Sequence, residues 1–144
     1  MITLAQAQQI VTATIARGRA LGTAPLTVIV LDPGGHPVAL CREDGSGILR
    51  PQIAHAKAWG ALGMGFSSRE LGRRSQLAPH FVTALGAVSE GRVVPVPGGV
   101  LIRLDGALLG AVGVSGDTSD LDEECAIAGV RAAGLQPEAD SPEP

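Results

Sequence analysis

The chain has 144 residues and a net charge of −3, and its 45% hydrophobic and 17% charged content excludes an intrinsically disordered protein. Only 2% of the residues are aromatic and no basic run is present, so a nucleic-acid partner, which requires a positive groove and stacking platforms, is not expected. The apolar stretches are strand-sized and shorter than the roughly 20 residues of a membrane-spanning helix, so no membrane partner is expected either.

The N-terminal sequence beginning at Met1 has no basic segment followed by an apolar one, which predicts a cytoplasmic protein. The two cysteines, Cys41 and Cys125, are far apart and have no metal-binding spacing. We expect both to be reduced, small buried residues, with a thiolate role for Cys41 as the alternative.

The chain begins with a predicted helix followed by a hairpin. Thr3 and Gln6 form a capping box, apolar residues follow with helical spacing, and Gly22 ends the helix. Residues 26–31 and 36–42 are strand-like and flank a short Pro- and Gly-rich turn. So short a connection predicts that the two strands pair antiparallel.

Three helices are predicted next. Pro51 starts one that runs to Met64 after an Arg50-containing loop, and its glycines indicate a face lying flat against a sheet. Ser67 and Glu70 cap a short polar helix. A third helix is predicted over residues 79–88, starting at its proline.

The last part of the chain predicts more strands and a closing helix. Residues 92–96 are a strand candidate, and residues 100–104 and 107–114 form a hairpin. A final helix ends near Ala133, and we predict a flexible tail over residues 136–144. The order of elements predicts an α+β fold in which an antiparallel sheet of about five strands is flanked by helices, as a single domain over residues 1–135.

Several motifs in this order resemble those of the haem-binding GlcG/HbpS family and of the PduO C-terminal domain. They are VLDPGG at residues 30–35, AHAKA at 54–58, VPVPGGV at 94–100, LGAVGVSG at 109–116 and the acidic pair at 122–123. The resemblance implies a profilin-like sandwich, a homo-oligomer, and haem binding with a part in haem handling or degradation, or corrinoid-linked activity. Haem-binding relatives use a histidine in the N-terminal helix, whereas this chain has Gln8, Gln9, Arg17 and Arg19 there, so that site is not expected to transfer directly.

His55 and Lys57 are the leading candidates for chemistry. They lie two residues apart in the predicted helix and therefore point to different sides. His55 is a candidate haem ligand or acid–base group, because imidazole binds iron and titrates near neutrality; the alternative is a structural, hydrogen-bonded histidine. Lys57, which the family pattern shares, is a candidate for neutralising a propionate or carboxylate, with a solvated or salt-bridged lysine as the alternative.

Two glycine-bearing loops are further candidates for ligand binding. Pro97, Gly98 and Gly99 can bring backbone N–H groups close to a ligand, although a tight turn between strands explains them equally well. Ser115 and Gly116 precede a helix N-terminus, where anions bind, but the acidic residues there would repel a phosphate.

The other two histidines are weaker candidates for binding a ligand or a metal. His80 follows Pro79 at a helix start and His36 lies at a hairpin edge, and no two histidines have the spacing of a zinc site. Ser115 lacks the G-x-S-x-G pattern of a hydrolase nucleophile.

Three functions follow from these observations. The first is a protein that binds haem, or a similar planar anionic cofactor, in an apolar pocket. The second is an enzyme for a small carboxylated metabolite, with Lys57 or Arg50 binding the acid and His55 as general base. The third is an oligomeric accessory subunit without catalytic activity.

Overall fold

The computed structural model describes residues 1–140 and contains one five-stranded antiparallel sheet with helices on both faces. The strand order in the sheet is β2-β1-β4-β3-β5. The elements in chain order are α1 (Leu4–Leu21), β1 (Thr27–Leu31), β2 (Pro37–Arg42), α2 (Arg50–Met64), α3 (Ser68–Leu77), α4 (Pro79–Val88), β3 (Gly99–Leu104), β4 (Ala107–Ser115), α5 (Ser119–Ala132) and β5 (Gln136–Glu138). The predicted α+β class, the antiparallel sheet and the number of strands are confirmed.

Strand β1 lies between β2 and β4 in the sheet and is buried along its whole length. Its side chains alternate between the two faces of the sheet, because successive residues of a strand point in opposite directions. Val28 and Val30 pack in the core under α1 and α5, whereas Ile29 and Leu31 pack under α2. The sheet therefore separates two apolar cores.

Helix α2 lies very close to the sheet, and glycines of the sheet permit this approach. A Cβ on Gly99 would lie 2.2 Å from the carbonyl oxygen of Lys57, and a Cβ on Gly113 would lie 2.0 Å from that of Ala54. The glycines within α2 have other surroundings: Gly60 accommodates the side chain of Val93, and a Cβ on Gly63 would have no neighbour within 4 Å. Helix α2 therefore has a face that lies against the sheet, but the glycines that permit the closest contacts belong to the sheet and not to the helix.

The fifth strand is not the one that the sequence predicted. Residues 92–96 form no strand; Pro95 lacks an N–H for a ladder, and its carbonyl instead lies against α3, 2.7 Å from where a Cβ on Gly72 would be. The fifth strand is β5, which pairs antiparallel with β3. It lies in the segment that we predicted to be a flexible tail.

The start of the predicted tail is attached to the rest of the fold. Leu135 and Ala139 are buried, the hydroxyl of Ser67 donates to the carbonyl of Ala139 (2.6 Å), and the amide of Ser67 donates to the Asp140 carboxylate (2.9 Å). The residues of the predicted tail beyond 140 lie outside the described part of the chain. No helix within residues 1–140 is long and apolar enough to span a membrane.

Candidate functional site

The side chain of Lys57 points from α2 into the interior, where it forms an ion pair. Its ammonium donates to the carbonyl of Val114 (2.9 Å) and to the Asp122 carboxylate (3.0 Å), and the exposed fractions of the two charged side chains are 2% and 1%. Burial lowers the pKa of Lys57 and raises that of Asp122, and the attraction between their charges opposes both shifts. A buried ion pair is costly to desolvate, so its contacts must be well satisfied.

The surroundings of Asp122 leave no room for a ligand at this ion pair. The second carboxylate oxygen of Asp122 accepts from the amide of Asp117 (2.9 Å). Gly98 is buried directly over the ammonium, and a Cβ on this glycine would lie 2.8 Å from the ammonium nitrogen. The double glycine and Asp122 thus enclose Lys57, and we assign the ammonium a structural role.

The loop at the end of β4 is tied to the start of α2. Ser115 is fully buried, and its hydroxyl accepts from the guanidinium of Arg50 (3.1 Å). A Cβ on Gly116 would lie 2.4 Å from the carbonyl oxygen of Pro25, so the glycine permits a close crossing of two backbones. The structure brings Arg50, Ser115 and Gly116 together with the Lys57 ion pair, as one packed cluster.

His55 lies on a different side of α2 and lines an open cleft. The cleft has a volume of about 500 Å³ and lies between the β1–β2 hairpin, the first turns of α2 and the loop after α4. Its wall is mainly apolar. The lining residues are Ile29, Pro37, Leu40, Pro51, Gln52, His55, Ala56, Glu90, Gly91 and Arg92.

The imidazole of His55 is half-buried and favours its neutral form. Burial, assisted by the positive charge of Arg92, lowers the pKa of His55 below its usual value of 6.5. The group is therefore mostly uncharged at neutral pH, with a lone pair available to a metal or a proton. As the spacing predicted, His55 and Lys57 face different surroundings, and the structure does not bring them to one cleft.

A reversal of the chain after α4 brings Arg92 to this cleft. Glu90 and Gly91 adopt left-handed backbone angles, with φ of 57° and 75°. The guanidinium carbon of Arg92 then lies 4.2 Å from the centroid of the Trp59 ring, and its Nε donates to the carbonyl of Ser89 (3.0 Å). Arg92 was not among the candidates from the sequence, because only the fold brings a residue from this loop beside α2.

The remaining sequence candidates lie elsewhere. His80 is exposed at the start of α4, and His36 is exposed in the hairpin turn with its Nδ1 3.3 Å from the Asp32 carboxylate. Cys125 is buried, as predicted. Cys41 is exposed on β2, so the prediction that it is buried was wrong. No group of three or more potential metal-binding side chains occurs among residues 1–140.

A second cavity lies beside Pro97. This groove of about 880 Å³ runs between α3 and the segment containing Pro95 and Pro97. Its charged side chains already pair: Arg73 and Arg74 bind Glu70, whose pKa they lower to about 2. We therefore take the His55 cleft as the candidate site, because its imidazole favours the neutral form and its cation, Arg92, forms no ion pair among residues 1–140.

The fold defines the chain as an α+β protein with helices on both faces of an antiparallel sheet and an open cleft beside the helix α2. The family described as "Haem degrading protein HbpS-like" matches residues 2–131. The chain therefore belongs to the HbpS-like family, which confirms the resemblance inferred from its motifs.

Curated relatives agree with this assignment. The chain is 28% identical over 129 residues to the corrinoid adenosyltransferase PduO of Salmonella typhimurium, covering 88% of this chain and 37% of that protein. It is 30% identical over 121 residues to an uncharacterized 15.0 kDa protein of Citrobacter freundii from the dhaT-dhaS intergenic region, covering 84% of each. The chain thus spans about a third of the PduO proteins that it matches, at 33% and 37% of their length.

Solved structures show the same fold. A PduOC:heme complex superimposes with a TM-score of 0.83 at 25% identity, covering 93% of this chain and 96% of that one. The protein ORFY of Klebsiella pneumoniae gives 0.83 at 25% identity, with 92% and 90% covered. A double mutant of HbpS from Streptomyces reticuli gives 0.78 at 27% identity, with 90% and 85% covered.

Proposed function

We propose that the protein binds haem, or a closely related planar carboxylated tetrapyrrole, in the His55 cleft and takes part in haem handling or degradation. The observation that carries this proposal is the half-buried, neutral imidazole in an apolar cleft. The membership in the HbpS-like family and the likeness to a PduOC:heme complex support the choice of ligand.

The residues of the cleft fit such a ligand. A volume of about 500 Å³ lies within the usual range for small-molecule sites, and the wall is mainly apolar, as a porphyrin ring requires. Histidine is a common protein ligand of haem iron, and only its neutral form can bind the metal. Bound haem would supply a redox-active iron, while Ile29, Pro37 and Leu40 of the chain would exclude water from one side of the ring.

Titration of the purified protein with hemin tests the proposal. We expect the wild type to shift the Soret band, and His55→Ala to weaken binding by more than roughly tenfold, since the loss of even an outer-shell partner costs a metal site that much. His36→Ala is the matched control, because that imidazole is exposed, is not among the residues of the cleft wall and lies outside α4. No Soret shift, or equal binding by wild type and His55→Ala, would contradict the proposal.

Helix α4 supports the prediction of a homo-oligomer. It contains no charged residue and none of its residues is buried; Phe81 and Val88 are 54% and 81% exposed. An uncharged apolar helix of this kind is typical of an interface. We propose that the chain self-associates through α4; light scattering that shows a monomer at micromolar concentration would contradict this. A cytoplasmic location stays a prediction.

A further inference from the structure

We infer that Arg92 is the anion-recognition residue of the His55 cleft, where its guanidinium binds a carboxylate of the ligand, so that the cleft selects apolar acids over their neutral analogues. The inference rests on the proposed function in one respect, since it concerns the same cleft. It does not require iron, because Arg92 would recognise the acid group and not the metal.

The guanidinium of Arg92 is fixed in position but has donors to spare. Stacking over Trp59 and the hydrogen bond from its Nε to Ser89 orient the group at the cleft. A guanidinium has five N–H donors in a planar fork, and no hydrogen bond within residues 1–140 uses either terminal nitrogen of Arg92. These two nitrogens are the pair that binds a carboxylate in bidentate geometry.

Arg92 also lacks a carboxylate partner within the described part of the chain. Ion pairs there are formed by Arg17, Arg19, Arg69, Arg73, Arg74 and Arg103. Arg92 forms none, and neither do Arg42, Arg50 and Arg131, but of these four only Arg92 lines the cleft. Glu90 lies on the same rim, and it forms no ion pair with Arg92 in the part of the chain that the structure describes. A ligand carboxylate would therefore not need to displace an internal ion pair.

The position of Arg92 relative to the apolar wall sets the class of ligand. Ile29, Pro37 and Leu40 favour a hydrophobic body, and Arg92 on the loop side of the cleft favours a negative charge at its edge. A hydrophobic carboxylic acid, such as a porphyrin propionate, combines both. The sequence pattern favoured Lys57 for this task, but its ammonium is committed to Asp122 and Val114.

Metal-free protoporphyrin IX and its dimethyl ester separate acid recognition from iron binding. Binding is followed by porphyrin emission and by quenching of Trp59, which is the single tryptophan of the chain and contacts Arg92. We expect the wild type to prefer the acid. Arg92→Met should weaken binding of the acid by about tenfold or more, the scale of a lost hydrogen bond to a charged group, and leave binding of the ester unchanged.

Two further variants complete the test. Arg92→Lys keeps the charge but not the planar fork, and should recover only part of the preference for the acid. Arg131→Met removes one exposed positive charge from α5, on the other face of the sheet, and should bind like the wild type. Circular dichroism and thermal melting should show that all variants are folded, because Arg92 is exposed and makes no buried ion pair.

The outcomes distinguish this inference from the proposed function. Equal loss of acid and ester in Arg92→Met, unchanged acid binding in that variant, or no binding of either porphyrin by the wild type would overturn the role of Arg92. Selective loss of the acid in Arg92→Met would support it. Selective loss of the acid would support the role of Arg92 even if His55→Ala bound hemin as well as the wild type. A Soret band that depends on His55, together with no effect of Arg92→Met, would support iron binding by His55 and contradict acid recognition by Arg92.

Discussion

His55 and Lys57 are two residues apart in α2, yet they occupy opposite kinds of environment. Lys57 is enclosed by Gly98 and ion-paired with Asp122, whereas the half-buried imidazole of His55 lines an open cleft and forms no hydrogen bond or ion pair with residues 1–140. The contrast shows that the enclosed side of α2 uses its polar group for stability. The imidazole on the open side is the group to which we assign a ligand.

The largest effect on stability is expected from removing the enclosed ammonium of Lys57. Lys57→Met leaves the Asp122 carboxylate buried without its counter-charge, so we expect the free energy of unfolding to fall by about 3–5 kcal/mol. Urea unfolding at neutral pH measures the loss. His55→Met, the matched variant on the open side, should change the stability far less.

A double variant shows whether the loss comes from the unpaired charge. Lys57→Met combined with Asp122→Leu removes both charges and should recover most of the stability, because well-packed apolar residues often replace a buried ion pair without cost. A Lys57→Met protein as stable as the wild type would show that the ion pair is not structural.

A methyl group added at the contact between α2 and the sheet should change the free energy of unfolding, by less than the loss of the ammonium. It tests how tightly the enclosed side of α2 is packed. A Cβ on Gly99 would meet the carbonyl oxygen of Lys57 at 2.2 Å, so Gly99→Ala must push α2 away from the sheet, and we expect a loss of about 3 kcal/mol. Gly63→Ala, on the same helix, meets nothing within 4 Å and should gain up to about 1 kcal/mol from helix propensity. Thermal denaturation of the two variants checks the opposite signs, and equal effects would contradict the close packing.

Local sequence patterns predicted most elements of the fold. The capping box of Thr3 and Gln6, the proline starts of α2 and α4, and the turn of the first hairpin are all present, since each depends on neighbouring residues. β5 was missed because its three residues, Gln136–Glu138, include a proline and no apolar alternation, and the buried Leu135 and Ala139 lie outside the strand on either side.

The site was less predictable, because its contacts join distant parts of the chain. Lys57 and Asp122 are separated by 65 positions, and nothing near Lys57 indicates that its partner follows β4. Arg92 reaches the cleft only through the left-handed turn at Glu90 and Gly91. His55 was identified because its residue type alone suggests chemistry, whereas the residues around it depend on tertiary structure.

The central claim is that the open side of α2 is the haem site. A crystal structure of the protein with hemin tests it most directly. The account predicts that the iron is bonded to a ring nitrogen of His55 and that a propionate contacts the guanidinium of Arg92. Haem bound through His36, His80 or Cys41, or in the groove beside Pro97, with the His55 cleft empty, would contradict it.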